Sequence, residues 1–151
     1  MRKLYVAAFS YMVAGLAFGL FYRELTKLND FPEGSPTQLA AVHTHLLALG
    51  MLALLVVLAL EKLFSLSRSR LFGWFFWVYN AGVVVTAGAM VWHGTLTVVG
   101  QASTPAIAGI AGMGHIVTTA GFVLLFLTLG RSLRRDQTAP AGPLPSEVAV
   151  G

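Results

Sequence analysis

Two histidines stand one residue apart in the run AVHTHLLALGM, Ala41 to Met51. No charged residue occurs between Thr37 and Leu60, so His43 and His45 are the ionisable groups of an otherwise apolar stretch. Neutral imidazole is a ligand for haem iron, copper and zinc. An ionisable side chain inside a membrane-length segment marks a functional-site candidate. His93 and His115 are the other two histidines. Residues two apart on an α-helix differ by about 200° in direction, so His43 and His45 address nearly opposite sides of their helix. A single ion cannot easily take both. The spacing predicts two different partners: two cofactors, or one cofactor plus a hydrogen-bond acceptor or subunit contact.

The elements that must carry these side chains follow from composition. The chain has 151 residues, 56% hydrophobic and 11% charged, with a mean hydropathy of +0.75. A soluble globular domain does not fit these values. The charge-free segments are each long enough to cross about 30 Å of hydrocarbon at about 1.5 Å per helical residue. The sequence predicts an all-α polytopic membrane protein, a bundle of four transmembrane helices. These span about Leu4 to Tyr22, Thr37 to Leu60, Leu71 to Trp92, and Pro105 to near Gly130. The first is expected to be a retained helix, being long for a signal peptide and lacking a clean small-x-small cleavage site before Arg23. Residues 1–135 form one transmembrane domain. Residues 136–151, with Pro, Ala, Gly and Ser prominent, are expected to be a disordered cytoplasmic tail.

The formal net charge is +4, but the basic residues flank apolar segments and do not interleave with exposed aromatics. They read as topology signals facing a lipid bilayer, with no nucleic-acid partner. Arg2, Lys3, Lys62, Arg68, Arg70, Arg131, Arg134 and Arg135 fall on one side; Arg23 and Lys27 fall on the other. That bias predicts cytoplasmic termini. Trp74, Phe75, Phe76, Trp77 and Trp92 sit where interfacial belts belong. There is no cysteine, which excludes disulfides, thiolate metal sites, iron–sulfur clusters and thioether-linked haem.

With this topology every histidine is expected in the outer half of the membrane. His43 lies about 9 Å, His45 about 12 Å and His115 about 15 Å below their helix starts, while His93 is near the headgroups. A b-type haem held by two histidines needs those ligands, small residues allowing approach, and a cation near its propionates. Gly109, Gly112 and Gly114 offer thin surface before His115, and Ala41 and Gly50 do so on the second helix. Arg23 is placed to meet propionates. The candidate cofactor-binding residues are therefore His43, His45, His115 and Arg23; the candidate metal ligands are His43, His45, His115 and His93.

Electron transfer or binding of a diatomic gas is the corresponding activity, with the redox partner unidentified. Two other readings stay open. One is a haem-free copper or zinc site; the other is a cofactor-free membrane scaffold whose histidines bond between helices. Met12, Met51, Met90 and Met113 read as gap-fillers rather than thioether ligands. Tyr11, Tyr79 and Asn80 are expected to pair between helices. No nucleotide fingerprint, nucleophile–base set or paired acids within a span is present, and no enzyme class is assigned.

The runs GLFYREL (Gly19 to Leu25), HTHLLALGM (His43 to Met51) and GIAGMGH (Gly109 to His115) resemble a family of short bacterial four-helix membrane proteins of unknown function. That resemblance covers the chain to about Arg135 and implies a multi-pass protein of the bacterial cytoplasmic membrane. More remotely, the HTH pair is similar to the H-x-H of haem-copper oxidases, where one helix ligates two haems from opposite faces. Their catalytic subunit is built like three four-helix units around a pseudo-threefold axis. The likeness implies a homo-oligomer, and in a homotrimer it places haem at subunit interfaces between His43 of one copy and His45 of the next. There is no adjacent histidine pair for a copper centre and no tyrosine clearly placed for the oxidase cross-link, so oxygen reduction with proton pumping is not implied.

Overall fold

The computed structural model describes residues 1–138, and the expected tail from residue 139 lies outside them. Four long helices make up nearly all of the described chain: α1 (Arg2–Leu28), α2 (Leu39–Phe64), α3 (Arg70–Val98) and α4 (Pro105–Thr138). All four are long and apolar enough to cross a membrane. Several helices outrun their expected ends. α1 continues beyond Tyr22 through Arg23, Glu24 and Lys27, and α4 continues beyond Gly130 through Arg131, Arg134 and Arg135. Straight-chain charged residues are good helix formers, and their long stems let the charged ends reach water while the backbone ladder persists. α3 also continues beyond Trp92, there without charged residues, so His93 lies inside it, more than a turn before its end at Val98.

The loops explain the antiparallel course. Ser65 ends α2 in the left-handed region at φ 48°, and a single 3₁₀ turn, Leu66–Arg68, leads to α3. Glu61 is buried, and its Oε2 accepts the Ser67 N–H at 2.7 Å, which holds this reversal shut. Ser69 then caps α3, its hydroxyl oxygen accepting the Leu71 N–H at 3.3 Å. At the same membrane face the Ser132 hydroxyl of α4 bonds the Phe64 carbonyl.

Helices in lipid gain little from hydrophobic burial against one another, so close backbone approach has to hold them. The tightest pair is α3–α4. A Cβ on Gly82 would collide with the Thr118 backbone, one on Gly114 with Thr86, and one on Gly121 with Tyr79. α2 docks on α3 where Gly94 meets Leu39 and where the Thr37 hydroxyl donates to the Gly94 carbonyl at 3.2 Å. α1 docks on α2 at Gly15 against Leu47 and where the Tyr11 ring fills the space over Gly50. Gly50 and Gly114 are thus consumed by helix packing, a correction to their expected role as approach surface for a cofactor. Gly109 and Gly112 do face open space.

The bundle is not closed. No Cα of α1 comes within 8 Å of α4, and none of Leu39–Leu52 does either; α2 meets α4 only through Ala53–Phe64. α2 and α3 form the middle, and α1 and α4 flank them. The half containing the start of α2 is called distal below. In it, α2 and α4 stand apart.

Overpacking a close-contact glycine typically costs about 1–3 kcal/mol. Gly82→Val should lower stability by that order, whereas Gly88→Ala, which faces open space, should be neutral or stabilising by up to about 1 kcal/mol. Thermal unfolding in one detergent, followed by helical circular dichroism, reads both. Equal melting temperatures would contradict the packing.

Candidate functional site

α2 is α-helical over Leu39–His45, widens into a π-helical segment over Leu46–Leu52, and returns to α over Ala53–Phe64. Such widened turns are rare and cluster at functional sites. Here Ala53 donates five residues back to the Ala48 carbonyl. The next carbonyl, that of Leu49, accepts the Tyr79 hydroxyl at 2.8 Å. A hydroxyl from α3 thus serves a carbonyl at the point where the ladder changes register. The widening begins immediately after His45, so the ligand-type pair itself stays on regular α-helix.

His43 and His45 do face different neighbours. The His43 Cβ is 3.7 Å from where a Cβ on Gly19 would stand, so His43 packs on the thin surface of α1. Its Nδ1 is buried without a hydrogen-bond partner, and its Nε2 has only a long 3.4 Å contact with Thr44 Oγ1. His45 points the other way, to α4. Its ring lies 6.5 Å, centroid to centroid, from that of His115, with the planes 85° apart.

Both rings of this pair are oriented by their own helices. His45 Nδ1 bonds the Ala41 carbonyl at 2.9 Å, and His115 Nδ1 bonds the Ala111 carbonyl at 2.8 Å. A carbonyl only accepts, so each Nδ1 carries a proton, which in a neutral ring leaves the lone pair on Nε2. An N–H given to a backbone carbonyl is the support that metal-ligating histidines ordinarily have. The two rings stand edge to face across the α2–α4 gap, at a separation ordinary for such ring pairs.

The rings lie in the gap between α2 and α4: no Cα of Leu39–Leu52 comes within 8 Å of α4, and Gly112, one turn from His115, faces open space. Further along α2 and α4 is an apolar cavity of about 280 Å³ walled by Ala48, Leu52, Ala53, Val56, Tyr79 and Phe122, which neither histidine lines. His45 is half-buried and His115 exposed, so one flank of the gap is uncovered in a single chain. Among the described residues, no group of three or more His, Cys, Asp or Glu could hold a metal. The donor set is two imidazoles, which suits a group that supplies its own equatorial ligands better than a bare zinc ion wanting three or four protein ligands.

The other candidates lie elsewhere. Arg23 is exposed on α1, 3.7 Å from Glu24, and α1 does not approach α4. Within one chain Arg23 is therefore not brought to the His45–His115 pair. His93 lines a separate distal pocket with Tyr22, Thr37, Ala40, Ala41 and Thr97, and its Nδ1 is buried without a partner. The carbonyls of Ala41 and Ala111 carry no distinctive sequence signal; only their position four residues before a histidine could have marked them. In cofactor-free protein, long-range ¹⁵N NMR should find His45 and His115 as neutral Nδ1–H tautomers. An Nε2–H tautomer at either would contradict this geometry.

No curated protein and no solved structure matches the chain, so the expected remote likeness to a haem-copper oxidase unit finds no support there. Residues 1–132 match the family described as "Protein of unknown function (DUF2871)", and with that share of its length matched the chain belongs to this family.

Proposed function

We propose that the chain is a membrane-embedded b-type haem protein acting in electron transfer, in which His45 and His115 would hold the iron. The observation that supports this most is the pair itself: two neighbouring imidazoles from different helices, each with Nδ1 bonded to a carbonyl of its own helix. Ala41 and Ala111 would hold the rings and keep Nε2 free, and Gly112 would permit close approach from the α4 side.

Haem, when bound, supplies a one-electron iron couple. Two protein ligands leave no open iron position, which favours electron transfer over diatomic gas binding. The uncovered flank at His115 supports a homo-oligomer in which a second copy closes the gap, and a trimer is the arrangement that the expected likeness suggests. The eight-to-two distribution of Lys and Arg supports cytoplasmic termini in a bacterial inner membrane.

The protein should be purified from haem-sufficient cells and its oxidised and reduced spectra recorded. A Soret band with a b-type pyridine haemochrome is expected. His45→Ala and His115→Ala should each abolish the low-spin bands at unchanged helix content, while His43→Ala and His93→Ala should retain them. A colourless folded protein would refute the proposal, and stoichiometric copper without iron would select the copper reading. Loss with His43→Ala but not His115→Ala would move the ligands to the other face of α2.

A further inference from the structure

A second site is suggested at the opposite, proximal end of the molecule. We infer that the pocket between the start of α1 and the α2–α3 turn binds the phosphate-bearing headgroup of an anionic phospholipid. The pocket is about 560 Å³ and is lined by Arg2 and Lys3 from α1 and by Ser67, Arg68, Ser69 and Arg70 from the turn and the start of α3. None of the four cations makes an ion pair among the described residues.

The carboxylate of the turn, Glu61, does not neutralise them. It is buried and does not line the pocket, and its Oε2 accepts the Ser67 N–H. Four like charges around one concavity repel one another, and an anion seated among them relieves that repulsion. Ser69 accepts the Leu71 N–H and keeps its own hydroxyl proton to donate.

The opposite wall points to a lipid rather than a soluble anion. It is made by Phe72, Phe76 and Trp77, with Gly73 facing open space beside them. Trp77 is 65% exposed on a membrane-length helix, as interfacial tryptophans are. The pocket therefore joins a cationic end to an aromatic flank, the same polarity as a phospholipid running from headgroup to acyl chain. Basic pockets between transmembrane helices recognise lipid headgroups in this way. Inorganic phosphate would engage only the cationic end.

The full chain in neutral detergent should be titrated with phosphatidylglycerol and with phosphatidylcholine and read by native mass spectrometry. Selective retention of phosphatidylglycerol is expected. Arginines that bond a phosphate directly make charge-assisted hydrogen bonds, so Arg68→Gln with Arg70→Gln should weaken it by roughly tenfold or more. Lys62→Gln removes a charge from the same face but outside the pocket, and in detergent, where no anionic membrane surface is present, it should change binding less than about twofold. Trp77→Ala should also weaken it, and millimolar inorganic phosphate should leave the lipid bound. Circular dichroism of each variant verifies folding. Equal losses per charge with Lys62→Gln would reduce the effect to diffuse surface attraction and overturn the site. Full displacement by phosphate would make it a soluble-anion site, and absence of headgroup preference would remove it altogether.

Discussion

An imidazole held within hydrocarbon must give its N–H to an acceptor, and His45 and His115 give theirs to carbonyls one turn back in their own helices. That local bond has consequences beyond satisfying a polar group. It fixes each ring's rotation, assigns the proton to Nδ1, and turns both basic nitrogens away from their own backbones. Neither helix needs the other for this. The orientation of the pair therefore does not depend on a direct bond between the rings.

The separation of α2 and α4 around that pair comes from what fastens each of them. α4 is clamped to α3 through Gly82, Gly114 and Gly121, positions where any larger side chain would strike the facing helix. α2 is fastened to α3 at Leu39–Gly94 and through the Tyr79 hydroxyl, and to α1 through Tyr11 over Gly50. Both are thus anchored on α3, and in the distal half no Cα of one comes within 8 Å of a Cα of the other. The two rings reach across this interval. His43 Nδ1, His93 Nδ1 and the Thr86 hydroxyl are also buried, without a hydrogen-bond partner among the described residues.

Much of this was legible in the sequence, because it rests on local chemistry. Four apolar runs bounded by charge specify four helices, and the two-residue spacing of His43 and His45 specifies that they face apart. That His45 and His115 lie at compatible depths also follows from rise per residue. What the sequence could not supply was neighbour order. Whether α1 or α4 stands beside a given face of α2 depends on which glycines seat which partners. Gly50 and Gly114 looked free until Tyr11 and Thr86 were found over them. The π-helical segment was equally hidden, since its register depends on a hydroxyl thirty residues away. Helix ends were underestimated where arginines and lysines continue the ladder into water.

The most direct test of the proposed haem binding by His45 and His115 is low-temperature electron paramagnetic resonance of the oxidised protein purified from haem-sufficient cells. The proposal predicts a low-spin ferric signal that His45→Ala and His115→Ala each remove. A high-spin ferric signal in the unsubstituted protein, or a low-spin signal that survives either substitution, would contradict it.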